Sequence, residues 1–176
     1  MPTASRRRTA QSRFVAIDFE TADHGRDSAC AIGLVLVEGT RVVREHRALI
    51  RPPRHTITFT SVHGIAWRHV AREPTFAQQW AGLSAFVEGA EFFAAHNASF
   101  DRGVLAACCL AAGVAVPAIP FRCTVQLARA VWSVYPTKLP NVCAHLGIEL
   151  DHHDALSDAR ACARIVIEAR RIGASA

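Results

Sequence analysis

The ordered pattern opens on an apolar run that turns to alternation near its end, Phe14-Val15-Ala16-Ile17-Asp18-Phe19-Glu20-Thr21, with two carboxylates in the alternating part. The run predicts a β-strand. Strand side chains alternate faces, so Phe14, Ala16, Asp18 and Glu20 share one side, and Val15, Ile17 and Phe19 take the other. A strand apolar on both faces is central in a sheet covered on both sides. Residues 21–28 form a polar connection. Residues 30–37 and 42–50 predict two more strands joined by a turn at Gly39-Thr40, and Pro52-Pro53 ends the third. Together these make a three-strand antiparallel meander. Residues 54–73 show no period and are expected to be irregular.

Helical spacing follows. Phe76, Trp80, Leu83 and Val87 recur at one helical face behind Pro74-Thr75. Residues 91–95 predict a short fourth strand, and 99–112 a helix ending at Gly113. A fifth strand is expected at 121–124, with a helix through Val131 behind it. Further helices are expected at 139–146 and from Asp154 to about Ile172. A meander followed by alternating helices and strands is an α/β pattern, a mixed five-stranded sheet flanked by helices. Asp18 would then sit near the carboxyl end of a central strand, where α/β folds place their ligands.

Three carboxylate sites break the apolar pattern in the same sense. Asp18 and Glu20 lie about 7 Å apart on one face of a buried strand. Asp101 shares its helix face with Val104, Leu105 and Cys108, and Asp158 shares its own with Ala161, Cys162, Ile165 and Val166. One such acid is accounted for by the dipole at a helix start. Four converging on a core are not, because they cannot all ionise there without cations. Two divalent ions roughly 3.5–4 Å apart would neutralise them and clamp an in-line phosphoryl displacement. Oxygen donors of this kind suit Mg²⁺ or Mn²⁺. His153, five residues before Asp158, can accept a proton from water near neutral pH. His152 reads as an exposed loop histidine, Asp154 as a helix N-cap. His63 and His96 fall in loops, where substrate contact and a plain internal hydrogen bond are equally good readings.

At 176 residues, 51% apolar and 20% charged, the chain has the proportions of one globular domain. No apolar run reaches the roughly 18 residues of a membrane span. The start has no secretory pattern. The six cysteines lack paired metal-ligand spacing and read as reduced core residues, which places the protein in the cytoplasm. His152, His153 and Cys162 could supply three zinc donors, the less favoured reading of those side chains. The net charge of +5 is concentrated at the start. Arg6, Arg7, Arg8 and Arg13 precede the first strand with no acid among them. Residues 1–12 are therefore expected to form a basic, disordered tail, and 13–174 a single domain.

The carboxylate motifs carry a family resemblance. Asp18-Phe19-Glu20-Thr21, His96-Asn97-Ala98-Ser99-Phe100-Asp101 and His153-Asp154-Ala155-Leu156-Ser157-Asp158-Ala159 resemble the three exonuclease motifs of the DnaQ-like DEDD superfamily, in its histidine-containing (DEDDh) form. Val62-His63-Gly64-Ile65 followed by Pro74-Thr75-Phe76 is similar to the segment between the first two motifs in proofreading ε subunits of bacterial DNA polymerase III. The resemblance runs from Phe14 to Ile172. It implies a ribonuclease H-like fold and 3′→5′ exonuclease activity, with Asp18, Glu20, Asp101 and Asp158 holding two metal ions and Asp18 bridging both. It implies that His153 activates the attacking water, that Thr21 and His63 lie against the terminal nucleotide, and that Asn97 supports the site. The expected substrate is a single-stranded 3′ end, DNA preferred, in proofreading or repair. RNA trimming like that of ribonuclease T or oligoribonuclease is the alternative, since those enzymes share the motifs. A non-catalytic nucleic-acid-binding module on the same fold is the rival of another class; the intact set of five residues argues against it. The ε subunit continues into a polymerase-binding segment, whereas this sequence ends at Ala176, so stable attachment to a polymerase is not expected.

Overall fold

The structure is a computed structural model and describes residues 12–174. Five strands form one sheet in the order β3-β2-β1-β4-β5. They are β1 (Arg13–Thr21), β2 (Ala29–Glu38), β3 (Arg41–Leu49), β4 (Phe92–Ala95) and β5 (Phe121–Cys123). β1, β2 and β3 pair antiparallel; β4 and β5 add in parallel. The mixed sheet and the central place of β1 are as the alternation predicts.

The two faces of β1 enter two separate cores. Val15, Ile17 and Phe19 pack with Leu34, Phe93 and the helices α3 (Phe76–Val87) and α4 (Ser99–Ala112). Phe14 and Ala16 pack with Val35, Val37, Phe92 and one side of α7 (Ala155–Arg171). Asp18 and Glu20 continue that second face. On α7, the contacting side is made of Ala159, Cys162, Ala163, Val166 and Ile167. The small side chains of Ala159, Cys162 and Ala163 let the helix lie close to the sheet at its N-terminal half. The remaining helices are α5 (Thr124–Trp132) and α6 (Leu139–Leu146), which pack against α7.

Two differences from the sequence reading stand out. Residues 54–73 are not wholly irregular: they hold α1 (Thr60–His63) and α2 (Trp67–Val70), each four residues long. A single turn is too short to display a helical period, so hydrophobic spacing cannot reveal it. At the start, Ser12 is already bonded into the fold. Its carbonyl accepts from the Gly39 N–H at 3.0 Å, and its hydroxyl donates to Glu91 at 2.7 Å. Residues 1–11, with Arg6, Arg7 and Arg8, lie outside the described residues.

Candidate active site

The acids meet at the carboxyl end of β1. Asp18, Glu20 and Asp158 bring carboxylate oxygens within 4.8 Å of one another. The register explains how α7 reaches them. Asp18 pairs with Gly33 of β2, and a side chain at Gly33 would run into the Ala155 carbonyl at the start of α7. Glycine there lets the helix start descend onto the sheet beside Asp18, and Asp158 lies one turn further on. A bulge between Glu20 and Thr21 shifts the pairing register of β1 at this point, as happens at many sites where a side chain must be re-aimed.

Asp101 arrives from the other face of the sheet. α4 starts at the carboxyl edge of β4, the neighbour of β1, so its first turn reaches the end of β1. Asp101 is 1% exposed, and its Oδ1 accepts the Phe19 N–H at 3.1 Å. It is not among the three acids whose oxygens cluster most tightly, but of the neighbouring charges it acts most strongly on Asp18. Burial pushes the Asp18 carboxyl well up, and the charges of Asp101, Asp158, Glu20 and Asp154 push it further. Burial also raises Glu20 to about 8, with Asp158 and Asp101 adding to it. Asp101 is raised to about 8 by burial, against the lowering effect of the Phe19 N–H. Without metal, all three carboxyls are thus pushed toward holding protons in place of cations.

The segment before α7 is tightly organised. Asp154 caps the helix, Oδ1 accepting from the N–H groups of Leu156 (3.1 Å) and Ser157 (3.0 Å), and its Oδ2 pairs with Arg47 at 2.7 Å. His153 is left-handed (φ 71°). Its N–H donates to Asp158 Oδ2 at 3.3 Å. His152 is an exposed loop residue, as the sequence reading has it, but it is also bonded to the acids. Its Nδ1–H donates to Asp158 Oδ2 at 2.9 Å, and its ring stacks on His153 with centroids 3.8 Å apart. Nothing local in the sequence distinguishes the two histidines; the turn that reverses the chain ahead of α7 does. Burial and the neighbouring His152 lower the His153 pKa, outweighing Asp158. The His153 imidazole is therefore neutral at neutral pH, the state in which it can accept a proton.

Among the described residues, Asp158 Oδ1 is buried with no hydrogen-bond partner. A lone carboxylate oxygen beside two more carboxylates is poorly accommodated unless a cation completes it. The residues thus fit divalent metal ions, with oxygen donors from Asp18, Glu20 and Asp158. A zinc site from His152, His153 and Cys162 is not formed. Among the described residues the donor groups are His152, His153 and Asp158, and Asp18, Glu20 and Asp158. Cys162 is fully buried in the core between sheet and α7.

These groups line a cavity of about 610 Å³. Its floor is Asp18, Glu20 and Asp158, with His152 and His153. One wall is Thr21, Phe59, Val62 and His63; the other is His96, Asn97, Phe100, Val125, Thr137, Lys138 and Leu139. His63 Nδ1 accepts the Ile65 N–H at 3.1 Å, so Nε2 carries the proton and donates to the Thr21 carbonyl at 3.1 Å. With both nitrogens engaged, His63 offers the cavity its ring face. His96 is likewise occupied, between Thr124 Oγ1 (2.9 Å) and the Thr137 carbonyl (3.0 Å). Asn97 is exposed and left-handed (φ 63°), its Oδ1 accepting from Ser99 at 3.3 Å. Of the second wall, His96, Asn97 and Phe100 belong to the second motif, but sequence reasoning missed Val125, Thr137, Lys138 and Leu139, which lie in a loop and at helix starts where no motif marks them.

The sequence profile of the exonuclease family matches residues 15–166. The chain belongs to the exonuclease family. Divalent metal ions are that family's cofactor, in keeping with the carboxylate cluster. The chain is 29% identical over 158 residues to the PolC-type DNA polymerase III of Thermotoga maritima, covering 88% of this chain and 12% of that protein. It is 31% identical over 139 residues to exodeoxyribonuclease 10 of Escherichia coli K12, covering 73% of this chain and 56% of that one. It therefore spans only a part of each of these relatives. Among solved structures, exonuclease X in complex with 5′ overhanging duplex DNA aligns with TM-score 0.72 and 25% identity, over 91% of this chain and 92% of that one. The nuclease domain of 3′hExo, a DEDDh family member bound to rAMP, aligns with TM-score 0.77 and 21% identity over 94% of each chain. The fold is that of these ribonuclease H-like, DEDDh exonucleases.

Proposed function

We propose that this exonuclease-family chain hydrolyses single-stranded nucleic acid from its 3′ end, prefers DNA, and releases nucleoside 5′-monophosphates. The observation that carries the reading is the clustering of Asp18, Glu20 and Asp158 beside a neutral His153 in the floor of one cavity. Asp18, Glu20, Asp101 and Asp158 would hold two Mg²⁺ or Mn²⁺ ions. Bound there, such ions would lower the pKa of the attacking water and stabilise the leaving 3′ oxygen. His153 takes the proton of that water. His152 keeps Asp158 aimed through its hydrogen bond, and Thr21 and the ring face of His63 lie against the terminal nucleotide. Asn97 supports the opposite wall. The names of the relatives, an exodeoxyribonuclease and a DNA polymerase, support DNA as the preferred substrate. Six cysteines as free thiols, five of them buried, support a cytoplasmic setting.

The test is hydrolysis of 5′-labelled single-stranded DNA and RNA by the purified protein. With Mg²⁺ or Mn²⁺ the label should shorten stepwise, faster on DNA, with 5′-monophosphates as products. Excess chelator should stop the reaction. Full activity in chelator would overturn the metal-dependent reading. Binding without hydrolysis under every metal condition would favour the non-catalytic module, and faster shortening of RNA the trimming reading.

We also propose that residues 13–174 make one exonuclease domain, and that the arginines ahead of it attract phosphates. A single-strand phosphate contact contributes a log–log salt slope of roughly −0.7. If Arg6, Arg7 and Arg8 all engage, removing residues 1–11 should make the slope shallower by about 2 units, alike for every sequence. The melting temperature should stay nearly unchanged. Filter-binding titrations across salt read the slope; an unaltered one would exclude the arginines from substrate capture.

A further inference from the structure

Lys138 is the chain's single lysine among 20 basic residues, and it stands in the wall of the catalytic cavity. Among the described residues no arginine lines that cavity. Its side chain is exposed, and among the described residues it has no acidic partner. Arginines beside cavity-lining residues are otherwise engaged: Arg26 with the Ser99 and Phe100 carbonyls, Arg129 with Thr137 Oγ1, and Arg47 with Asp154.

The backbone that carries Lys138 is fixed. Its neighbour Thr137 is 7% exposed and is held three ways. The Thr137 carbonyl accepts from His96 Nε2 at 3.0 Å. Its hydroxyl accepts from Arg129 Nε at 2.9 Å and donates to the Val134 carbonyl at 2.8 Å. His96 begins the motif that ends in Asp101, so the loop bearing Lys138 is tied to the end of β4, beside the strand that carries the acids. Lys138 occupies the N-cap position of α6, yet its side chain makes no capping bond. Lys138 thus stands at the site on a fixed backbone, its ammonium without a structural task among the described residues.

The walls of the cavity differ in kind. Phe59 and Val62, with the ring face of His63, suit a nucleobase. The wall at Lys138 carries, among the described residues, the one Lys/Arg side chain that lines the cavity. A strand longer than one nucleotide brings further phosphates past a floor of carboxylates, and those phosphates need a cation of their own. We propose that Lys138 binds a backbone phosphate on the 5′ side of the scissile one, and so gives the site its preference for a strand over an isolated nucleotide ester. The assignment rests on the exonuclease reading above. As a phosphate contact it carries no base information.

The experiment compares two substrates of the full chain with Mg²⁺ or Mn²⁺. One is a single-stranded oligonucleotide. The other is the p-nitrophenyl ester of thymidine 5′-monophosphate, which has the scissile phosphate and terminal nucleotide but no phosphate upstream. In Lys138→Ala, KM for the oligonucleotide should rise about tenfold at low salt, with kcat changed much less, as expected when an exposed charge-assisted contact to bound substrate is lost. The rise should exceed any rise on the ester by at least about fivefold. Lys138→Arg should recover most of the loss, and the salt slope of Lys138→Ala should be shallower by about 0.7. Equal losses on both substrates would overturn the proposal by placing Lys138 at the scissile phosphate or in the fold. An unchanged oligonucleotide KM would overturn it outright. A parent protein that cleaves neither substrate would instead refute the exonuclease reading. Protection of Lys138 from an amine-modifying reagent by the oligonucleotide, but not by thymidine 5′-monophosphate, in chelator, provides a readout independent of turnover; equal labelling with and without the strand counts against the contact.

Discussion

Asp18→Asn should abolish hydrolysis and, in chelator at pH 8, raise the melting temperature. The loss of activity should be on the order of 10³-fold or more, because the substitution removes a carboxylate at the centre of the cluster. The gain in stability follows from the metal-free electrostatics. Burial is the largest influence raising the Asp18 carboxyl, and the charges of Asp101, Asp158 and Glu20 come next. Asparagine keeps the shape and removes both the desolvated charge and its repulsion. A rise of about 3–6 °C is expected for a chain of this size.

The pH dependence has a definite sign. Glu20 moves from 4.5 to about 8, and Asp101 from 3.8 to about 8, on folding without metal. Groups that hold protons more tightly when folded leave stability intact below their unfolded values. They withdraw it as pH rises through the folded values. The metal-free parent should therefore lose thermal stability between about pH 5 and pH 8, and Asp18→Asn should lose less. Divalent metal should restore the parent at pH 8, since it binds the deprotonated cluster. Thermal melts at pH 5, 6.5 and 8, with chelator and with Mg²⁺, read all of this. A mutant that melts below the parent in chelator at pH 8 would refute the repulsion argument.

His153→Ala should lower kcat by roughly 10²–10⁴-fold, the usual contribution of a general base. Metal affinity should change little, because the oxygen donors are untouched. His153 sits at φ 71°, where alanine is strained. His153→Asn tolerates that backbone better and serves as the control. Equal losses in the two variants assign the effect to the imidazole. A parent-like rate in His153→Asn would mean that the turn matters and the ring does not. The lowered pKa of His153 adds a second check. The parent's kcat should rise on the acid side of the ordinary histidine value and then level off, and that limb should vanish in both variants.

Much of the site can be read along the chain because its logic is local. Two-residue alternation places Asp18 and Glu20 on one face of β1. Helical spacing places Asp101 and Asp158 on the apolar sides of α4 and α7. Asp154 is legible as a cap because capping depends on neighbours two and three residues away. Each of these rests on a backbone period or a short hydrogen bond.

What escapes such reading depends on residues far apart. Gly33 has no mark in the sequence, yet its pairing with Asp18 lets the start of α7 approach the sheet. His152 and His153 are adjacent and alike. A left-handed turn gives one the bond to Asp158 and leaves the ring of the other without a hydrogen-bond partner among the described residues. His63 and His96 are loop histidines on paper. The fold commits both rings to backbone carbonyls and so removes them as proton donors to a ligand. Lys138 becomes conspicuous only when the loop before α6 closes one side of the cavity, because proximity to a phosphate is set by which elements pack together. Periodicity encodes which face a side chain takes. Which faces then meet is fixed by long-range packing, where a single small residue decides how close two elements can come.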